Sequence, residues 1–242
     1  MIIANWKMNG SKELIEVWLN FVSKNIKIID GKDCIFCPPS CYIDFSKHLI
    51  EKTNQSIRLG SQELDSLLSK PLTGGITAEM LEEVGCSFVI IGHSEQRIHL
   101  NESNELLSNK LVSAIDNNLT PIYCVGETAK QKKSNQTKEV LLEQLDVIQS
   151  QIIDKCIIAY EPVWAIGTGE SAEISYIEEV HSFIKEELKN KNEFSKEISV
   201  VYGGSVNLEN YKETYNSSYV DGLLIGGASL NHSTFTKIYN MS

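Results

Sequence analysis

The chain lacks positive charge, long apolar runs and flexible linkers, and each absence narrows what it can be. Its 22 Lys and Arg against 32 Asp and Glu leave a formal charge of −10 over 242 residues. That balance gives no positive footprint for a phosphate backbone, so no nucleic-acid partner is expected. No apolar run approaches the ~18–20 residues of a membrane span. Met1 leads directly into Ile2-Ile3-Ala4 without the basic stretch that opens a signal peptide, so a cytoplasmic protein that avoids membranes is expected. No Gly/Ser/Pro-rich or low-complexity segment divides the chain, which reads as a single domain over residues 1–242. The polar stretch Lys130–Lys138 reads as a surface loop. There are six cysteines but no metal-binding set: Cys34 and Cys37 are three apart in an apparent strand and so point to opposite faces. They read as small buried residues of a reducing compartment, and no metal site is expected.

What the chain does have is a regular series of short apolar runs: Ile2–Trp6, Cys34–Cys37, Ile57–Ser61, Phe88–Ile91, Pro121–Val125, Cys156–Tyr160, Ile198–Val201 and Gly222–Ile225. Their near-continuous hydrophobicity, rather than alternation, suits parallel strands covered on both faces. Between them lie amphipathic stretches. Leu14, Val17, Trp18 and Phe21 make one helical stripe, Leu141, Leu142, Leu145, Ile148 and Ile152 a second, and Ile177, Val180, Ile184 and Leu188 a third. Ser175 with Glu178 has the spacing of a capping box that would start the third helix. Eight strands alternating with helices predict an α/β fold, a single closed (βα)₈ barrel of the TIM type. A doubly wound sheet would more often carry a glycine fingerprint after its first strand, where this chain has Lys7-Met8-Asn9-Gly10.

In such a barrel the residues just past each strand's C-terminal end converge on one face. After strand one come Asn5 and Lys7, on one face of an extended segment. After strand four comes Gly92-His93-Ser94-Glu95, with a helix expected just beyond; its N-terminus would lower the imidazole pKa and favour a neutral ring. Glu161 follows strand six, where Pro162 ends the ladder; Val163, Trp164 and Ile166 then form an apolar loop flanked by Gly167 and Gly169. A strand-end acid is by itself an ordinary βα turn, but an apolar loop with glycine hinges is what a lid needs. Tyr202-Gly203-Gly204-Ser205 and Gly226-Gly227-Ala228-Ser229 follow strands seven and eight. As glycine-rich turns opening short helices they match the usual barrel phosphate site, where backbone N–H groups hold a dianion.

Six blocks at these strand ends resemble, in order and from end to end, the triosephosphate isomerase family: Asn5-Trp6-Lys7-Met8-Asn9, Ile91-Gly92-His93-Ser94-Glu95, Cys124-Val125-Gly126-Glu127, Tyr160 to Gly169, Tyr202 to Val206 and Gly226 to Leu230. The resemblance implies interconversion of dihydroxyacetone phosphate and D-glyceraldehyde 3-phosphate through an enediol(ate), a step of glycolysis and gluconeogenesis that needs no cofactor or metal. It implies Glu161 as the proton carrier and neutral His93 as the electrophile. Lys7 and Asn5 would orient the substrate, with Glu95 as an additional acid beside the lysine. Gly167, Ser205, Gly226 and Gly227 would hold the phosphate. It also implies a homodimer through the loop Gln62–Ala78, with Thr73 reaching the neighbouring subunit's Asn5. The chain departs from the family pattern at Gly75, usually Glu, and Gln96, usually Arg, which normally form a charge pair in the dimer contact region. Glu63 stands for a common Asn, and Glu170-Ser171-Ala172 form the trailing hinge where a Lys usually leads. Loss of both members of the charge pair avoids stranding one buried charge, so the dimer is expected to survive with altered stability.

Overall fold

A computed structural model describes residues 1–53, 56–66, 71–167, 171–192 and 198–242. Eight strands, β1 (Ile2–Asn5), β2 (Cys34–Cys37), β3 (Ile57–Ser61), β4 (Phe88–Ile91), β5 (Thr120–Val125), β6 (Ile157–Tyr160), β7 (Ser199–Tyr202) and β8 (Gly222–Ile225), pair in chain order. All pairs are parallel, and β8 pairs back onto β1, closing the expected barrel. Closure leaves no free sheet edge. Among the described residues no helix is long and apolar enough to cross a membrane.

Two apolar cores follow from the alternation of a strand. Inside the barrel pack Ile3, Ile35, Cys37, Phe88, Ile90, Ile122, Cys124, Ile157, Ala159, Val201 and Leu224. The intervening residues, such as Ala4, Cys34, Val89, Tyr123, Ile158 and Val200, face outward into a larger core under the helices. Cys34 and Cys37 therefore do lie on opposite faces. Period two also aims the rim: Asn5 follows interior Ile3, Gly126 follows Cys124, Glu161 follows Ala159, Gly203 follows Val201 and Gly226 follows Leu224. Five strand ends thus send their next side chain or bare backbone into the barrel mouth.

The helices required corrections of phase and extent. In helix Lys12–Asn25 the buried residues are Ile15, Trp18, Leu19, Val22 and Ser23, whereas Leu14 and Val17 are exposed. Trp18 fixes that rotation, because its Nε1 donates to Ser229 O at 2.8 Å and its ring stacks on Phe36. The second and third stripes are buried except for Leu142. Ser175 does not cap the third helix, which begins one residue earlier and spans Ile174–Lys191 with Glu173 as its uncapped N-cap. Glu178 accepts instead from the Ser218 N–H. Lys130–Lys138 is not a loop either. Thr128 and Gln131 form a capping box that starts the helix Ala129–Lys133, and Thr137 begins the helix Thr137–Asp146.

Candidate active site

Glu161 sits at the end of β6 with a carboxylate that is almost wholly buried, 2% exposed. Two bare backbones make room for it. A Cβ on Gly126 would stand 1.8 Å from Glu161 O, and one on Gly203 would stand 2.9 Å from Glu161 Cγ. Oε2 accepts from the Ser94 N–H at 3.1 Å, and Oε1 lies 3.1 Å from His93 Nε2. His93 is the N-cap of the expected helix, which spans Ser94–His99, and its Nδ1 accepts the Glu95 N–H at 3.2 Å. With Nδ1 an acceptor, the ring proton belongs on Nε2, facing Glu161.

The electrostatics of this pair differ from the sequence expectation for His93. Burial pushes the imidazole pKa down, but the charge and hydrogen bond of Glu161 outweigh burial, so the pKa stands above its ordinary value of 6.5. Burial likewise pushes Glu161 up, while His93, the Ser94 N–H and Lys7 overcome it and hold the carboxyl below its ordinary 4.5. The helix terminus was expected to set the histidine. A buried carboxylate at contact distance acts more strongly.

Lys7 completes the cluster from the turn after β1. Its Nζ lies 2.5 Å from Glu95 Oε1, and Glu95 Oε2 lies 3.6 Å from His93 Nδ1, so the four side chains form one continuous chain of charge. Asn5 Oδ1 accepts the Lys7 N–H at 3.1 Å. Lys7 is held at φ 50°, a left-handed conformation that costs a non-glycine residue and persists only where its surroundings impose it. Gln62 supplies part of that restraint by donating to Lys7 O at 3.0 Å and Cys37 O at 2.9 Å.

The glycine-rich turns flank this cluster. A Cβ on Gly226 would stand 3.8 Å from Lys7 Cε, which places the end of β8 beside the lysine. Gly227 opens a short 3-10 turn, Gly227–Leu230, as expected. The turn after β7 differs: Gly203 to Ser205 lead into an Asn-rich loop, where Asn210 donates to Ser205 O, and the next helix, Tyr211–Asn216, starts later. On the loop after Glu161, Val163–Ala165 form a 3-10 turn, and Gly167 (φ 70°) is exposed with open space around it. Gly169 and the first residue of the hinge Glu170-Ser171-Ala172 lie outside the described residues. Ala172 N donates to Tyr202 Oη at 3.4 Å.

Three supports were not picked out from the sequence. Arg97 donates from Nε to Gly92 O, from Nη2 to Tyr123 Oη and Cys124 O, and from Nη1 to Asn104 Oδ1, tying the end of β4 to the end of β5. Gln62 braces Lys7. Glu127, fully buried, accepts from Tyr160 Oη, Trp164 Nε1 and Tyr176 Oη, with the Trp164 bond at 2.8 Å. Glu127 does sit in a block of the family resemblance. Arg97 and Gln62 carried no comparable signal, because most of their partners are backbone carbonyls and side chains on other strand ends.

The arrangement offers a carboxylate, an imidazole N–H and an ammonium around one mouth. Over residues 1–242 the chain matches the family described as triosephosphate isomerase. A protein of that name from Baumannia cicadellinicola subsp. Homalodisca coagulata is 37% identical, covering 98% of this chain and 94% of the relative. Those from Shewanella sp. strain MR-4 and Salmonella paratyphi B are 39% and 38% identical, covering 98% of this chain and 95% and 94% of their own lengths. With a closed eight-stranded barrel, a rim that gathers these groups, and similarity running the length of the sequence, the chain belongs to the triosephosphate isomerase family.

Proposed function

We propose that the residues at the barrel mouth carry out, in this chain, the isomerisation its family membership assigns: interconversion of dihydroxyacetone phosphate and D-glyceraldehyde 3-phosphate. Glu161 takes the proton from the carbon beside the substrate carbonyl. The C–H electron pair becomes the C=C bond of an enediolate, and the carbonyl π electrons move onto oxygen. His93 Nε2–H donates to that oxygen, and Lys7 offsets the negative charge. The hydroxyl proton on the first carbon then passes to that oxygen, which moves the charge to the other oxygen, and Glu161 returns a proton to the neighbouring carbon as this second oxygen becomes the new carbonyl. The electron pair stays within the substrate while the proton passes through the Glu161 carboxylate, so the scheme needs no redox cofactor.

The observation that carries this reading is the mutual contact of Glu161 and His93 in a buried mouth. When Glu161 turns from the imidazole to a substrate carbon, His93 loses the interaction that raises its pKa. Burial and Lys7 then favour the neutral ring, the form that donates without surrendering its proton. Gly226, Gly227 and Ser205 suit the phosphate, with Gly167 adding an N–H as the lid closes. Asn5 orients the substrate through Lys7, and Glu95 positions the ammonium and the ring. Closing the apolar lid excludes water that would otherwise let the enediolate expel phosphate. A barrel that only bound phosphate would have no use for Glu161, His93 and Lys7 together, and another sugar-phosphate isomerase would not be expected to share those blocks.

Homodimerisation through the loop Gln62–Ala78, of which residues 67–70 lie outside the described part, belongs to the same reading. It is supported by apolar side chains left uncovered on this side: Leu72, Met80 and Leu100 line one cavity of about 860 Å³ with Gly75 and Gln96, and Met8 is 99% exposed. Cytoplasmic placement is supported by six free cysteines, five of them buried. The test is a coupled assay of the purified protein with glyceraldehyde 3-phosphate, beside Glu161→Asp. Retracting the carboxylate by one methylene is expected to lower kcat by roughly a hundredfold or more. Near-normal turnover by that variant would remove Glu161 as the base.

A further inference from the structure

Among the described residues, the tryptophan of the lid is held by a hydrogen bond on one side and by a cation on another. Trp164 Nε1 donates to Glu127, while the face of its ring receives the ammonium of Lys132, whose Nζ stands 3.3 Å from the ring centroid. The same ammonium lies 4.3 Å from the centre of the Tyr176 ring, and Tyr176 meets Trp164 edge-on at 6.1 Å. Lys132 belongs to the helix Ala129–Lys133, which its capping box anchors outside the lid. Trp164 belongs to the 3-10 turn Val163–Ala165, within the segment that moves if Gly167 is to reach a bound phosphate. Gly167 stands exposed, with nothing within 4 Å of where a Cβ would be.

We propose that Lys132 is a lid-positioning residue for the isomerisation: its ammonium, held between Trp164 and Tyr176, retains the lid in its open arrangement and is left behind when the lid closes. The inference rests on the reading of Val163–Gly167 as a lid over the proposed active site. A contact made only in the open state lowers the fraction of protein ready to hold ligand, and apparent affinity falls by that fraction. A cation over an indole face corresponds to roughly two- to thirtyfold in an equilibrium constant, depending on how far it is desolvated. Lys132 is half-buried and touches two rings, which places it within that range.

The test uses the full-length protein and a phosphorylated hydroxamate that mimics the planar enediolate. Lys132→Met should bind this anion about three- to tenfold more tightly than the parent, with KM falling in parallel and kcat unchanged or lower. The emission of the unliganded protein should change with it, since Trp6 and Trp18 are fully buried elsewhere and only Trp164 loses a neighbour. Lys132→Arg keeps a cation over the ring and should restore both affinity and emission towards the parent values. Unchanged or weaker binding by Lys132→Met, or Lys132→Arg behaving like Lys132→Met, would overturn the proposal. Isomerase activity of the parent, assayed alongside, separates this failure from failure of the functional reading itself.

Discussion

Replacing Glu63 with Gln should stabilise the protein at alkaline pH and do little at acidic pH. Lys110, itself buried, bridges two carboxylates, lying 2.6 Å from Glu63 Oε1 and in close contact with Glu102 Oε1. The remaining oxygens, Glu63 Oε2 and Glu102 Oε2, are buried without a hydrogen-bond partner among the described residues. One cation thus serves two acids. Burial pushes Glu63 up from 4.5 to about 7, against the pull of Lys110. A raised carboxyl pKa means that the folded chain keeps a proton the unfolded chain has released. Stability therefore falls as pH rises from about 4.5 to about 7 and stays reduced above that. A rise from 4.5 to about 7 corresponds to about 3 kcal/mol, and a side chain one quarter exposed reduces this to about 2 kcal/mol. Gln stays neutral throughout and its amide oxygen can still accept from Lys110. Thermal melts of both proteins at equal concentration should therefore show Glu63→Gln higher in Tm by roughly 4–8 °C at pH 8 and nearly level at pH 5. An equal shift at both pH values, or a loss at pH 8, would refute the reasoning.

Other outcomes follow from the crowding and charge around Glu161. Glu161→Gln should lower the His93 titration midpoint, followed by NMR, because the carboxylate that raises it is gone while burial and Lys7 remain; an unchanged midpoint would mean another group sets it. Gly126→Ala should lose several kcal/mol of stability, since its Cβ would collide with a backbone carbonyl that has no room to yield. Gly203→Ala meets only the Glu161 side chain at its closest point, so it should fold and melt near the parent yet lose kcat by roughly tenfold or more. A normal kcat there would show that the carboxylate tolerates displacement.

Strand order and barrel closure were legible because parallel strands buried on both faces leave nearly unbroken apolar runs, and because strand ends in this architecture have one destination. Asn5, Lys7, His93 and Glu161 could be picked out for the same reason, and Glu95 through the family resemblance. Helix phase was less legible: Leu14 and Val17 fit a period of 3.6 as well as Ile15 and Leu19 do, and only the tertiary anchor of Trp18 decides between them. Ser175 has capping-box spacing, but the helix had already begun at Ile174. The direction of the His93 pKa required a distance, because helix terminus and carboxylate oppose each other and contact decides. Arg97, Gln62 and Lys132 act on partners far along the chain or on ring faces, which no local pattern records.

The central claim is that Glu161 moves a proton between adjacent carbons of a phosphorylated triose. Isomerisation in D₂O, with carbon-bound deuterium in the product read by NMR, tests it most directly. A proton held on a carboxylate exchanges with solvent before it is returned, so the parent should place deuterium on carbon in a sizeable share of product. Glu161→Gln should lose turnover and deuterium uptake together. Product formed without carbon-bound deuterium, or deuterium uptake that persists undiminished in Glu161→Gln, would contradict the account.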